Sequence, residues 1–117
     1  MTHGWRRNAA GLVTMVLFSA AFVVLICSPS QGAAPPGEAL FEKNDCKVCH
    51  AVDHKVVGPS YEEVAKKFAG QPDAEATLIQ AVKNGHSGTW GQVPMPPHPS
   101  MPDSEIKTIV DWILTLK

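Results

Sequence analysis

The stretch CKVCH, from Cys46 to His50, places two thiols three positions apart and an imidazole directly after the second thiol. In a tight helical turn, side chains at positions i and i+3 lie on the same side, so each thiol can bond to one vinyl group of a porphyrin. The imidazole then lies below the iron and can ligate it through one ring nitrogen. We therefore predict one covalent haem c, bonded to Cys46 and Cys49 and ligated by His50.

Two other kinds of site contain a C-x-x-C pair. A thioredoxin-like dithiol requires a strand-helix-strand setting, but no alternating β-branched run surrounds Cys46 and Cys49. A zinc site requires further ligands, and the remaining cysteine, Cys27, lies in an apolar N-terminal stretch, so scattered histidines would have to complete the site. The intact motif therefore favours haem attachment over both alternatives.

The N-terminal residues indicate export. Arg6 and Arg7 provide a positive segment, residues 11–26 form an apolar region, and small residues at positions 28–34 offer a cleavage site. We expect residues 1–32 to be a secretory signal peptide that is cleaved, which would place the mature protein in the periplasm.

Two alternatives stay open for this segment. It resembles an uncleaved membrane anchor in length, because its apolar run approaches the roughly 17 residues that a span requires. A lipoprotein anchored through Cys27 is the other alternative, although Ile26 lies where a small residue is expected. Either anchor would make the protein a tethered subunit rather than a free one.

Residues 33–117 are long enough for one small haem domain. A chain of about this size buries only about 60% of the surface that it exposes when unfolded, so the flat apolar haem would supply the missing core. Beyond Arg6 and Arg7 the chain holds eight lysines and eleven acidic residues, a net charge of about −3. This acidic balance argues against a nucleic-acid partner.

The sequence after residue 33 predicts four helices and no strand. The second helix opens with a capping box from Ser60 to Glu63. The fourth presents an amphipathic stripe of five apolar residues at helical spacing: Ile106, Ile109, Val110, Ile113 and Leu114. We expect the first helix near residues 37–49, the second from Ser60 until Gly70 stops it, the third from the cap Asp73 to Gly85, and the fourth after Pro102 and Asp103.

The proline-rich loop between the third and fourth helices contains the best candidate for a second axial ligand, Met95. Pro94 and Pro96 hold this methionine on a stiff extended strap, so little entropy is lost when its thioether binds iron. Met101 lacks a rigid frame on both sides. In the alternative interpretation Met95 packs as an ordinary apolar residue, but His and Met are the axial pair typical of cytochromes c.

From Glu38 to its C-terminus the chain resembles the small bacterial class I monohaem cytochromes c of the cytochrome c8 or c-551 type. The matching stretches occur in the family order and at similar spacing: CKVCHA, VGPSY, VAKKFAG, VKNG and WGQVPMPP. The resemblance implies an all-α cytochrome c fold, with about four short helices wrapped around one covalently attached haem.

The same resemblance implies a role for each residue of the site. Cys46 and Cys49 would be the thioether attachments, His50 the proximal ligand and Met95 the distal ligand. The Pro59 carbonyl would accept the ring hydrogen bond of His50. The indole N–H of Trp90 would donate to a haem propionate.

Two positions depart from the family pattern. His98 occupies the place, three residues after Met95, where relatives usually have an asparagine that donates to the thioether sulfur. Its imidazole would donate in the same way, titrate near neutral pH, or compete for the iron. Ala81 replaces an arginine that contacts a propionate in some relatives, which predicts a lower reduction potential.

With both iron faces closed, the expected function is one-electron transfer rather than enzymatic catalysis. Redox partners would dock transiently on a monomer at the haem edge. The resemblance implies a quinol-oxidising donor of the cytochrome bc1 type and a terminal oxidase or nitrite reductase as acceptor. A haem-based sensor or enzyme with a labile sixth ligand, and a membrane-tethered subunit of a respiratory complex, are the alternatives.

Overall fold

A computed structural model describes residues 32–117, which contain four α-helices and one short 3-10 turn. The helices are α1 (Pro36–Lys43), α2 (Tyr61–Phe68), α3 (Ala74–Asn84) and α4 (Asp103–Thr115), and the 3-10 turn is Cys46–Val48. The extended pairing within these residues is one isolated antiparallel bridge between His86 and Met95. The all-α prediction is confirmed. The predicted signal peptide and its alternatives lie outside the described residues, except for Gly32.

The prediction of one continuous helix over residues 37–49 is wrong. Helix α1 ends at Lys43, where the backbone N–H and the side-chain amide of Asn44 both donate to the Leu40 carbonyl at 3.0 Å. Asp45 then has a φ of 57°, a left-handed conformation through which an α-helix cannot continue. The first cysteine therefore opens a separate, tighter turn instead of extending α1.

The capping box predicted for α2 is present. The Ser60 hydroxyl accepts a hydrogen bond from the backbone N–H of Glu63 at 3.1 Å, and the Glu63 carboxylate accepts one from the Ser60 N–H at 2.9 Å. These two bonds pair backbone N–H groups that would otherwise have no partner at the start of the helix. By contrast, Asp73 precedes α3 as predicted but makes no capping hydrogen bond with its side chain.

Helix α4 is the centre of the core and packs against α1, α2 and α3. Its apolar stripe is buried as predicted, with Ile106 and Val110 fully inaccessible and Leu114 half-buried. The other buried apolar members of this core are Phe41, Tyr61, Val64, Met101, Ile109, Trp112 and Ile113. Among residues 32–117, no helix has the length and apolar character needed to cross a membrane.

The crossing of α1 and α4 depends on a glycine. Gly37 is buried, and a Cβ at this position would overlap the Cβ of Trp112 and lie 2.7 Å from the Thr108 carbonyl oxygen. The absence of a side chain therefore lets the two backbones approach closely. Trp112 is 8% exposed and is therefore an aromatic residue of the core.

Candidate haem-binding site

The C-x-x-C-H motif lies on the 3-10 turn and the residues just after it. The backbone N–H groups of Cys49 and His50 both donate to the Cys46 carbonyl, at 3.2 and 2.9 Å. The turn thereby holds the two cysteines and the histidine on one tight loop. Both thiols are free and half-buried, and burial raises the pKa of the Cys46 thiol.

The imidazole of His50 has a defined orientation. Its Nδ1 lies 2.7 Å from the Pro59 carbonyl oxygen. Because a carbonyl can only accept, Nδ1 must carry the proton and donate it. The other ring nitrogen, Nε2, is then unprotonated in the neutral ring and has the lone pair that a metal ligand needs.

The loop that carries Pro59 is folded back onto the motif. The N–H groups of Val57 and Gly58 donate to the Cys49 carbonyl at 3.2 and 2.8 Å. Gly58 lies against the imidazole, because a Cβ there would be 2.5 Å from Cε1 and 2.9 Å from Nδ1 of His50. The close approach of backbone and ring therefore requires glycine at position 58.

Tyr61 is a site residue that the sequence reasoning missed. Its ring stacks on His50, with centroids 5.2 Å apart and 27° between the planes, and makes edge-type contacts with Phe41 and Trp112. Burial, and to a lesser extent the Cys46 thiol, raises the pKa of its hydroxyl well above the usual range. The sequence signal for this role is an aromatic residue two positions after Pro59, although the capping box there indicates only the start of a helix.

The second group of candidate residues lies on the loop between α3 and α4. Met95 is half-buried, and its backbone pairs with His86: the Met95 N–H donates at 2.7 Å and its carbonyl accepts at 3.2 Å. Trp90 is also half-buried, with Nζ of Lys67 lying 5.5 Å from its ring centroid. Met101, the rejected candidate, is buried in the hydrophobic core.

The remaining histidines occupy distinct positions. His54 and His86 are exposed, and each ring pairs with a near neighbour in the chain, Asp53 at 2.7 Å and Thr89 at 2.6 Å. His98 is half-buried and lines a polar groove of about 350 Å³ between α1 and the start of α4. Its backbone N–H donates to the Val82 carbonyl at 3.0 Å.

The residues of this site fit a haem. Two free thiols on one turn match two vinyl groups, and the tautomer of His50 leaves Nε2 available for iron. The chain segments around the C-x-x-C-H motif, Pro59 and Met95 also present apolar side chains at the surface, which suits a large apolar ring. Four valines there are 45–66% exposed: Val48, Val56, Val57 and Val93.

Comparison with known proteins decides the family. The model of the family described as Cytochrome c matches residues 34–117. The chain belongs to the cytochrome c family. This cytochrome is 51% identical over 89 residues to cytochrome c-551 of Pseudomonas aeruginosa, across 75% of this chain and 85% of the relative. It is 46% identical over 86 residues to cytochrome c-552 of Nitrosomonas europaea, across 74% of this chain and 84% of the relative.

Solved structures agree with this assignment. The cytochrome is similar to the crystal structure of Nitrosomonas europaea cytochrome c552, with a TM-score of 0.66 and 48% identity over 68% of this chain and 99% of that one. It is also similar to a class 1 cytochrome of Sideroxydans lithotrophicus, with a TM-score of 0.59 and 36% identity over 68% of this chain and 91% of that one. The predicted cytochrome c fold is therefore confirmed.

Membership of the family establishes the cofactor and the class of activity. The cytochrome carries one covalent haem c through its C-x-x-C-H motif, as predicted from Cys46 and Cys49. It is a small electron-transfer protein, and its relatives are named as cytochromes rather than as enzymes.

Proposed function

We propose that this cytochrome c is a periplasmic one-electron carrier whose iron is ligated by His50 and Met95. The observation that carries the proposal is the 2.7 Å hydrogen bond from Nδ1 of His50 to the Pro59 carbonyl, which leaves Nε2 as the ligand atom. The haem supplies an iron centre that gains and loses one electron. The protein residues set its ligands, its surroundings and its access to partners.

On the proximal side, Pro59 has two effects on His50. Its carbonyl fixes the ring orientation, and by accepting the Nδ1 proton it raises the basicity of Nε2. Pro59 itself is buried, so this hydrogen bond is protected from competing water. We expect the proximal ligand to remain bound in both oxidation states.

On the distal side, two observations support Met95. Its backbone is fixed by the reciprocal pair of hydrogen bonds with His86, whereas Met101 is committed to the core at 8% exposure. A thioether is a soft ligand that favours ferrous iron and raises the reduction potential. With His50 and Met95 both bound to the iron, no coordination position would be left for a substrate.

Electron exchange would occur at the exposed margin of the site. The exposed valines and the half-buried Trp90 belong to the segments that carry His50, Pro59 and Met95, and exposed apolar side chains of this kind suit brief docking. Trp90 would donate its indole N–H to a haem propionate. The partners would be a quinol-oxidising complex of the bc1 type as donor and a terminal oxidase or nitrite reductase as acceptor, each meeting a monomer of the cytochrome.

The proton NMR spectrum of the reduced protein tests the ligand assignment. A methionine methyl group bound to haem iron is shifted far upfield by the ring current of the porphyrin. We expect such a resonance in the wild type and in Met101→Leu, and its loss in Met95→Ala. A resonance that persists in Met95→Ala, or that is absent from the wild type, would refute ligation by Met95.

Intact-mass analysis of the exported protein tests the location. Cleavage after Gly32 predicts the mass of residues 33–117 plus one haem in the periplasmic fraction. A mass that retains residues 1–32 would support the anchored alternative instead.

A further inference from the structure

The end of α3 and the strap that carries Met95, residues 94–101, are joined at several points. His86 and Met95 exchange two backbone hydrogen bonds, at 2.7 and 3.2 Å. Three residues further along the strap, the His98 N–H donates to the Val82 carbonyl at 3.0 Å. The strap is thus paired with residues on both sides of Gly85, the residue that ends α3.

A side-chain contact adds to these backbone bonds. Nζ of Lys83 donates to the Met101 carbonyl at 3.2 Å and to the Asp103 carboxylate at 2.6 Å. The C-terminal end of the strap is therefore also held by α3, through a side chain that is partly shielded from solvent.

Gly85 occupies the closest approach between the two segments. Its φ of 79° and ψ of 168° lie in a region that essentially only glycine adopts. A Cβ at this position would lie 2.7 Å from the Met95 carbonyl oxygen and 3.2 Å from the Pro97 nitrogen. Both atoms belong to the backbone, so a side chain at position 85 can be accommodated only if the strap moves.

Other glycines of the chain show that this contact is not a general property of positive φ. Gly70 and Gly88 also have positive φ, at 75° and 90°, yet a Cβ at either position would have no neighbour within 4 Å. A side chain at position 85 would therefore meet the backbone of Met95, whereas a side chain at position 70 would meet no neighbouring atom.

We propose that the end of α3 holds the Met95 strap in place and that Gly85 is a positioning residue for the sixth iron ligand. The proposal rests on ligation by Met95. Through the backbone of residues 85 and 86, and through the side chain of Lys83, α3 determines how readily an external ligand replaces the thioether. The lability of the sixth position is thus set by a helix end rather than by the methionine side chain.

The test compares Gly85→Ala with Gly70→Ala in the haem-loaded protein. Both variants place alanine at a positive φ, but only the first introduces a Cβ against the strap. We expect Gly85→Ala to bind cyanide in the ferric state about tenfold more tightly than the wild type, or more, and to lose or broaden the upfield methionine methyl resonance in the ferrous state. Gly70→Ala should match the wild type in both measurements.

The outcomes separate this inference from the ligand assignment. If the wild type lacks the upfield resonance, Met95 is not the ligand and both proposals fail. If the wild type shows it and Gly85→Ala behaves like Gly70→Ala, only the role of Gly85 is refuted.

A second variant covers the case in which Gly85→Ala does not yield folded holoprotein. Lys83→Met removes the side-chain anchor on the Met101 carbonyl and leaves the backbone unchanged. We expect tighter cyanide binding with an unaltered far-ultraviolet circular dichroism spectrum. Cyanide affinity equal to that of the wild type would overturn the proposal that α3 holds the strap.

Discussion

The ring of Tyr61 stacks on the imidazole of His50, with their centroids 5.2 Å apart. Pro59, two residues earlier, accepts the hydrogen bond from Nδ1 of the same imidazole. The start of α2 therefore holds the ring from two directions, one in the plane of the ring and one against its face. Ser60, between them, closes the capping box that fixes this backbone.

Replacing Tyr61 by leucine should leave the imidazole of His50 less firmly held. The substitution removes the stack on His50 and the contacts with Phe41 and Trp112, and we expect it to lower the free energy of unfolding by about 2–4 kcal/mol. Tyr61→Phe keeps the ring and is the matched control. Urea unfolding and the hyperfine-shifted ring protons of His50 in the ferric state are the measurements. Identical His50 shifts in the leucine and phenylalanine variants would refute the positioning effect.

A side chain at position 58 should raise the reduction potential. The Cβ of Gly58→Ala would lie 2.5 Å from Cε1 of His50, so the ring must move relative to the Pro59 carbonyl. A weaker hydrogen bond from Nδ1 makes the imidazole a poorer donor to ferric iron, which favours the reduced state. Voltammetry of this variant beside Gly88→Ala, where the added Cβ meets open space, checks the effect. Equal potentials in the two variants would contradict it.

Because α1 and α4 cross closely at Gly37, we predict that a side chain there lowers the free energy of unfolding and leaves the reduction potential unchanged. Gly37→Ala places a Cβ against Trp112 and the Thr108 carbonyl, and overpacking of this kind costs about 1–3 kcal/mol. The loss should appear in chemical denaturation, whereas Gly70→Ala should show only the cost of its backbone conformation. The reduction potential should match that of the wild type. A shifted potential would mean that the strain reaches the haem.

The capping box predicts that the stability of the folded protein depends on pH. The backbone N–H of Ser60, and then its hydroxyl, lower the pKa of Glu63 in the folded state. Since the folded pKa lies below the unfolded one, the stabilisation is complete above the usual glutamate range and is lost as the pH falls through the lowered pKa. Thermal unfolding of the wild type and Glu63→Gln should therefore differ at neutral pH and converge in acid. A difference that is independent of pH would exclude this origin.

Because the residue at position 81 is neutral, we predict that a charge introduced there changes the reduction potential. Ala81 lies half-buried on α3. The family resemblance implies that an arginine there contacts a haem propionate, and we expect Ala81→Arg to add a fixed positive charge at that place. Positive charge stabilises the iron centre more in its ferrous than in its ferric state, so Ala81→Arg should raise the potential. Ala81→Gln, which is polar but uncharged, is the control. An unchanged potential in the arginine variant would count against this effect.

Local sequence patterns predicted the elements that depend on local spacing. The stripe of α4 and the capping box of α2 follow from helical periodicity and from a short-range hydrogen-bond motif, so both could be identified from sequence. The end of α1 was placed too late because apolar periodicity does not report a single left-handed residue such as Asp45. Turn conformation at one residue depends on the tertiary contacts that surround it.

The residues that hold the candidate ligands in place were harder to predict. The attachment cysteines and the histidine form a contiguous motif, but the stacking of Tyr61 and the contact of Gly85 with the Met95 carbonyl join residues ten or more positions apart. Such contacts follow from how helices pack, and neither propensity nor spacing encodes them. Gly85 was therefore recognised as a helix end but not as a contact of the strap.

The residues that hold His50 and those that hold Met95 belong to the ends of different helices. Residues 59–61 at the start of α2 hold His50, residues 85–86 at the end of α3 hold Met95, and no residue belongs to both groups. The two groups have no residue in common, but both ligands would bind the same iron, so substitutions in one group should change the effect of substitutions in the other through the metal. A designer could therefore reach one iron through two separate helices, the imidazole side through α2 and the resistance to small external ligands through α3.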